Sequence, residues 1–285
     1  MLLFGFSRDA ASQLPKAFQN SACSMALLKC NQLKFIMDRT EQIKQYCQRF
    51  KITGISSNLE TTIVEAEQKG LGFMEFTMSL FKTESDHRHR NEYHKRLKCA
   101  QLPKTHNLNT YDHTVENGLP KTRLNQLREL NWIDQGFNIM LMGPSGTGKT
   151  FIASGLCADA VEKGYKAYFR TMEDILNVLK LKDVVRSANS EYKRLIKANL
   201  IVIDDIMLFP VEKNQAVSLF NFVNQLYENT SFVITTNKAP ADWAKLLDDE
   251  VLATALLDRI LFHCELINLS GKSYRLKNRK PIFES

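Results

Sequence analysis

The feature that most constrains this chain of 285 residues is a glycine-rich stretch near its middle. Two of its glycines have four residues between them, and a lysine and a threonine follow the second one. The stretch consists of Gly143, Pro144, Ser145, Gly146, Thr147, Gly148, Lys149 and Thr150. This spacing is that of a phosphate-binding loop, in which glycines let backbone N–H groups surround a polyphosphate. The alternative is a glycine-rich turn without a ligand.

The segments on both sides of the loop have the patterns that a phosphate-binding loop requires. Residues 137–142 form a short apolar run, which predicts a buried strand. Apolar residues then recur at helical spacing over 151–161, and a glycine ends the pattern. The helix would point its positive end at the phosphates. We expect Lys149 to contact the β- and γ-phosphates and Thr150 to offer its hydroxyl to Mg²⁺.

Two carboxylates end a later apolar run. Residues 199–203 are followed directly by Asp204 and Asp205. In a phosphate-loop protein, a carboxylate at such a strand end holds Mg²⁺ directly or through water. We expect Asp204 to do this and Asp205 to orient or polarise the attacking water. The alternative is a pair of acids that only ends a strand.

A fourth predicted strand, 231–236, runs directly into Asn237. If this strand lies between the first and the third, Asn237 lies next to the phosphate loop. It would then sense the γ-phosphate or position the water. Asparagine is also a common turn former, and that interpretation stays open.

Repeated strand and helix patterns predict an α/β fold, with a parallel five-stranded sheet flanked by helices. The chain before it predicts a small all-helical domain, with a helix at 38–50 and a second one opening at a capping box at Ser57. Residues 104–120 have the turn-rich composition of a linker. We expect a poorly structured extension or over-called start at 1–36, the helical domain at 37–103, the α/β domain at 104–270, and a basic tail at 271–285.

The net charge of +7 is concentrated in two segments. Residues 82–104 carry seven Lys and Arg against three Asp and Glu, and residues 271–285 carry five against one. Each segment therefore contributes +4, and the rest of the chain sums to −1. Localised positive charge favours a polyanionic partner such as nucleic acid. Two solvated basic surfaces without a partner are the alternative.

Composition restricts where such a protein works. No run of eighteen apolar residues exists, so we expect no membrane-spanning helix. The six cysteines form no CxxC pair, which is typical of a reducing cytoplasm.

Together these segments resemble an AAA+ ATPase. Within that class the chain is similar to the IstB-like transposition helper proteins and, more distantly, to the DnaC-type helicase loaders. The segments that carry the resemblance are GPSGTGKT, IVIDDIMLFP, FVITTNKAPADW and LLDRILFHCELINLSGKSYR. The resemblance runs from about Met37 to Arg275, and it implies that residues 104–270 form an AAA+ ATPase domain.

The resemblance also implies roles for single residues. Lys149 and Thr150 would bind ATP and Mg²⁺, and Asp204 would be the metal carboxylate. Asp205 would stand where the hydrolytic carboxylate usually is. Many relatives have glutamate at the position of Asp205. Because aspartate is one methylene shorter, we expect slow hydrolysis.

Two further roles come from the resemblance. Asn237 would be the sensor residue. Arg259 would be an arginine finger that reaches the nucleotide of a neighbouring subunit, which makes hydrolysis depend on assembly. Without the family, an ion pair on a helix face is the favoured interpretation of Arg259.

We therefore expect an ATP-hydrolysing helper protein of an insertion-sequence transposition system. It would form a cytoplasmic homo-oligomer on double-stranded DNA, with low sequence specificity, and would recruit or activate the transposase of the same element. A loader of the replicative helicase is the first alternative, because it shares the ATPase core. A metabolic phosphate-loop kinase is the second.

Overall fold

The computed structural model describes residues 39–114 and 117–277. The chain divides into two compact units, residues 1–91 and 92–285. The predicted extension at 1–36 and residues 278–285 of the predicted basic tail lie outside the described residues.

The first unit is helical, as predicted. Residues 39–49 form α1, Thr53–Lys69 form α2, and α3 spans Phe73–Ala100, with the boundary between the two units inside it. A small buried cluster of Cys47, Ile55 and Leu59 joins the helices of this unit. Burial of these apolar side chains stabilises the helices against the entropy of the free chain.

The predicted start of α2 at Ser57 is wrong, because the helix begins four residues earlier at Thr53. Glu84 of α3 accepts hydrogen bonds at Oε2 from the backbone N–H groups of Gly54 (2.7 Å) and Ile55 (3.1 Å). A carboxylate from another helix therefore satisfies the free N–H groups of the first turn. The Ser57 hydroxyl instead donates to the carbonyl of Thr53 within the helix (3.0 Å).

The second unit contains a sheet of five parallel strands in the order β2-β3-β4-β1-β5. This confirms the predicted α/β fold, and β4 lies between β1 and β3. The strands are β1 (Asn138–Met142), β2 (Ala167–Thr171), β3 (Leu200–Asp204), β4 (Ser231–Thr236) and β5 (Cys264–Asn268). The helices are α4 (Lys121–Arg128), α5 (Asn131–Asp134), α6 (Lys149–Glu162), α7 (Met172–Leu181), α8 (Arg186–Leu195), α9 (Lys213–Leu226), α10 (Trp243–Leu247), α11 (Glu250–Leu261) and α12 (Tyr274–Lys277).

Apolar layers cover both faces of the sheet. One layer contains α6, and the other contains α7, α9 and α11. The strands β3 and β4 are buried along their whole length, which explains why they are continuous apolar runs rather than alternating ones. Because all strands are parallel, the carboxyl ends of β1, β3 and β4 meet at one edge of the sheet.

The expectation of a linker at 104–120 is wrong. Leu108 and Leu119 are buried in the layer that contains α6. Leu108 lies in a 3₁₀ turn, Leu108–Thr110, and a methyl group added at Gly155 of α6 would lie 2.2 Å from its Cγ. The described part of this segment is therefore packed on the α/β core. No helix in the described ranges is long and apolar enough to cross a lipid bilayer.

Candidate active site

A cavity of about 510 Å³ lies at the edge of the sheet where the parallel strands end. The phosphate loop forms its floor, since Ser145 to Thr150 all line it. The remaining lining comes from the segment 103–117, from Asp205, and from the first two residues of α12. A cavity at the carboxyl ends of parallel strands is the usual position of a ligand site in an α/β fold.

The phosphate loop has a backbone that only glycine adopts readily. Gly146 has φ 86° and Gly143 has φ 146°. A methyl group at Gly143 would lie 2.0 Å from the carbonyl oxygen of Leu269, so the chain passes too close for any side chain. The loop leads directly into α6, which begins at Lys149. The free N–H groups at the start of that helix border the cavity.

Lys149 lies folded over the loop. Its Nζ donates hydrogen bonds to the carbonyl oxygens of Gly143 (2.7 Å) and Pro144 (2.9 Å). Burial lowers the pKa of the Lys149 ammonium, while the nearby carboxylates of Asp205 and Asp204 raise it. An ammonium that is partly desolvated and held by weak neutral acceptors is well placed to bind an anion.

Asp204 lies buried at the end of β3 and is bound by two hydroxyl groups. Its Oδ1 accepts hydrogen bonds from Thr150 Oγ1 (3.0 Å) and from Thr235 Oγ1 (2.6 Å). Burial raises the pKa of the Asp204 carboxyl, and the hydrogen bond from Thr235 opposes this shift. The helix α6 thus brings Thr150 to the carboxylate from one side and β4 brings Thr235 from the other.

These oxygen atoms fit a magnesium ion. Thr150 and Asp204 place a hydroxyl and a carboxylate oxygen side by side, and Mg²⁺ prefers oxygen ligands. Within residues 39–114 and 117–277, no three His, Cys, Asp or Glu side chains form a metal-binding group.

Asp205 lines the cavity in a turn that follows β3 directly. Its backbone has φ 54°, in the left-handed region that side chains disfavour. The Asp205 N–H donates to Thr235 Oγ1 (2.9 Å), and the side chain is exposed at the cavity wall. A carboxylate held at the cavity wall is placed to act on a water molecule there.

The described lining of the cavity does not include Asn237 or Arg259. Asn237 is exposed directly after β4. Arg259, on α11, donates to Asn224 Oδ1 (2.7 Å) and to the carbonyl of Ala255 (2.8 Å), and its guanidinium lies 4.8 Å from the centre of the Phe220 ring. The fold therefore brings together Lys149, Thr150, Asp204 and Asp205, and leaves these two outside their own subunit's cavity.

Asn117 is a site residue that sequence reasoning missed. It is buried, and its Nδ2 donates to the carbonyl of Thr147 (3.2 Å) and to the hydroxyl of Tyr111. Its own carbonyl accepts from the N–H of Ser270 (2.9 Å) after β5. In the sequence, Asn117 and the glycine after it indicate only a turn. The contact of Asn117 with the phosphate loop therefore depends entirely on tertiary structure.

Thr235 was also not assigned as a site residue from sequence. Arg275 lines the cavity from α12. Thr235 is wholly buried one position before the end of β4. A signal for Thr235 exists, because a polar residue near the end of an apolar central strand must find a buried partner.

The loop geometry, the acidic strand end and the position of β4 between β1 and β3 define an AAA+ protein of the phosphate-loop class. The chain matches the family of IstB-like ATP binding proteins over residues 46–281, and it belongs to this family.

Comparison with individual relatives supports the same family. The chain is 42% identical over 262 residues to an ATP-binding protein of an IS21-like insertion sequence from Bacteroides fragilis, covering 92% of this chain and 96% of the relative. It is 30% identical over 240 residues to the ATP-binding protein of insertion sequence IS5376 from Geobacillus stearothermophilus, covering 84% and 96%. The crystal structure of DnaI, at 16% identity and a TM-score of 0.50, shares the fold over 60% of this chain and 95% of that one.

Proposed function

We propose that this protein is an ATP-hydrolysing helper of an insertion-sequence transposition system, which assembles on DNA and recruits or activates the transposase of its element. The observation that carries the ATP chemistry is the hydrogen bond from Thr150 to Asp204 beside the buried Lys149. Lys149 and Thr150 line the cavity with an ammonium and a hydroxyl, and the Asp204 carboxylate binds that hydroxyl, as phosphoryl transfer to water requires.

The groups of the site have separate tasks. The loop N–H groups and the start of α6 bind the phosphates, and Lys149 exchanges its two carbonyl partners for phosphate oxygens. Thr150 and Asp204 would hold Mg²⁺, which would neutralise charge on the β- and γ-phosphates. Asp205 orients the attacking water. Because its side chain is one methylene shorter than glutamate, we expect a slow reaction that acts as a switch.

Arg259 and Asn237 complete the site in the assembled protein. Arg259 is half-buried and does not line its own subunit's cavity. A residue that contacts the nucleotide of a neighbouring subunit is expected to lie outside its own cavity. A guanidinium supplied across a subunit interface adds positive charge at the γ-phosphate and makes hydrolysis depend on oligomerisation. Asn237, exposed after β4, senses the γ-phosphate once the nucleotide is bound.

Two observations support DNA and the transposase as partners. The segment 82–104 carries a net charge of +4, and six of its basic side chains are exposed: Lys82, Arg88, Arg90, Lys95, Lys98 and Lys104. The relatives of the chain are ATP-binding proteins of insertion sequences, which supports the transposase of the same element as the partner. Binding through phosphates has low sequence specificity and weakens steeply with salt.

A gel-shift on long duplex DNA tests the proposal, with no nucleotide, with ADP and with ATP. We expect cooperative binding that requires ATP and that Lys149→Ala abolishes. Lys163→Ala is the matched control, because Lys163 is exposed just after α6 and its Nζ donates to the carbonyl of Glu129, away from the cavity.

Absence of duplex binding in every nucleotide state would overturn the transposition proposal. Binding to single strands and to a hexameric helicase would then favour the helicase loader. ATP turnover that needs a small acceptor and ignores DNA would favour the metabolic kinase.

A further inference from the structure

The hydroxyl of Thr235 joins the two acidic residues of the site. Its Oγ1 donates to Asp204 Oδ1 (2.6 Å) and accepts from the backbone N–H of Asp205 (2.9 Å). The side chain is completely buried, so water does not compete for either bond. A single hydroxyl thus holds the side chain of one acid and the backbone of the next, and the two bonds polarise each other.

The end of β4 also holds the turn in which Asp205 lies. The N–H of Ile206 donates to the carbonyl of Thr235 (2.9 Å), and the hydroxyl of Thr236 donates to the carbonyl of Ile206 (3.1 Å). Asp205 and Met207 both have positive φ, 54° and 55°, which is unfavourable for residues with side chains. The turn therefore depends on its bonds to β4, and the bond from Asp205 to Thr235 is the one closest to the cavity.

We propose that Thr235 is a positioning residue for ATP hydrolysis, which fixes the Asp204 carboxylate for Mg²⁺ and the Asp205 backbone for the attacking water. This inference rests on the proposed ATPase function. The physical reason is a difference between the two hydroxyl groups that bind Asp204. Thr150 would share its oxygen with the metal ion, whereas the completely buried Thr235 keeps its bond to the carboxylate. Groups behind a metal ligand orient it, and their loss typically costs about 10–100-fold in metal affinity or activity.

Three variants separate this role from a merely structural one. Thr235→Val keeps the shape of the side chain and removes both hydrogen bonds, whereas Thr235→Ser keeps the hydroxyl. Thr230→Val is the matched control, because Thr230 is also buried and its hydroxyl donates to the carbonyl of Ala198 (2.9 Å). It lies just before the opposite end of β4, away from the cavity.

The experiment measures kcat and KM for ATP hydrolysis, and the affinity for a fluorescent ATP analogue with Mg²⁺ and with EDTA. For Thr235→Val we expect kcat to fall by about 10–100-fold, the gain in ATP affinity from Mg²⁺ to shrink by about tenfold with a matching rise in KM, and the affinity in EDTA to stay unchanged. Thr235→Ser restores both, and Thr230→Val leaves both unchanged. Thermal unfolding of each variant is recorded alongside, and Thr235→Ala replaces the valine variant if that variant does not fold.

Two outcomes overturn the inference while the proposed function stands. One is a wild-type protein that hydrolyses ATP and a Thr235→Val variant that matches it. The other is an equal loss in Thr230→Val, which would make the effect one of general stability. A wild-type protein that neither binds nor hydrolyses ATP would instead overturn the proposed function itself, and the inference with it.

Discussion

The backbone N–H of Tyr274 donates a hydrogen bond to the carbonyl oxygen of Gly146 at 2.9 Å. This bond joins the phosphate loop to α12, although 128 residues separate the two partners in the sequence. Ser273 lies so close that a methyl group at Gly146 would be 2.1 Å from its Oγ. The shape of the phosphate loop therefore depends on the segment that follows the sheet.

Gly146→Ala should weaken ATP binding by at least about tenfold, since the added methyl group displaces Ser273 and the loop together. The positive φ of Gly146 adds about 1–2 kcal/mol of backbone strain. Titration with a fluorescent ATP analogue and thermal unfolding measure the two effects. Gly164→Ala is the control: Gly164 has φ 98°, and a methyl group added there would meet no atom within 4 Å, so this variant has the strain without the clash. Equal ATP affinities in both variants would contradict the prediction.

Asp204→Asn should stabilise the fold at neutral pH and reduce ATP hydrolysis by at least about tenfold. Burial raises the pKa of the folded-state carboxyl above its ordinary value of 3.8. As the pH rises through 3.8 towards that higher pKa, the unfolded chain loses the proton first, and the ionised, buried carboxylate lowers the stability of the wild type. Asparagine does not ionise, so it avoids this loss.

Unfolding midpoints of wild type and Asp204→Asn, measured between pH 3 and pH 8, check this sign. The advantage of the variant should be present at neutral pH and disappear as the pH falls below the ordinary carboxyl pKa. A stability advantage of Asp204→Asn that increases as the pH falls would show that the buried carboxylate stabilises the fold.

Arg170→Ala should destabilise the second unit by about 3–5 kcal/mol, because it breaks a buried ion pair and leaves the Glu191 carboxylate with only the exposed Arg194 as its cation. Arg170 is 2% exposed in its side chain, forms an ion pair with Glu191 of α8, and donates to the carbonyls of Cys99 and Ala100 at the end of α3. Urea denaturation measures the loss. Arg194→Ala is the control, since Arg194 pairs with the same glutamate but is 44% exposed, and should cost less than about 1 kcal/mol.

Arg259→Ala should bind ATP as the wild type does and lose most of its DNA-stimulated hydrolysis. The residue does not line its own subunit's cavity, so its effect on turnover must come through a neighbouring subunit. Asn224→Ala removes the intramolecular partner of Arg259 and should keep hydrolysis close to wild type. Restoration of activity on mixing Arg259→Ala with Lys149→Ala would support action across an interface, and no loss in Arg259→Ala alone would exclude it.

Features that depend on neighbouring residues could be predicted from the sequence. The loop that begins at Gly143, the strand before Asn237 and the start of α7 at Thr171 all have local signals. Thr171 caps α7 through a reciprocal pair of hydrogen bonds with Asp174, three residues on. Such contacts form within one turn of chain, so composition and spacing are enough to identify them.

The start of α2 and the segment 104–120 show where local signals fail. The capping signature at Ser57 is present, but Glu84 satisfies the helix start at Gly54 instead. Turn residues make 104–120 resemble a linker, but Asn117 binds the phosphate loop through Thr147. In each case a partner about 30 residues away outweighs the local preference, because a buried polar group must be satisfied wherever the fold places it.

The sequence by itself determined the phosphate loop, the acidic end of β3 and the alternation of strands and helices, since each follows from residues adjacent in the chain. Only the tertiary structure decided that Thr235 lies between Asp204 and Asp205, and that α12 touches Gly146. The reason is the strand order. Placing β4 between β1 and β3, and β5 beyond β1, brings these residues together through backbone pairing that no local pattern specifies.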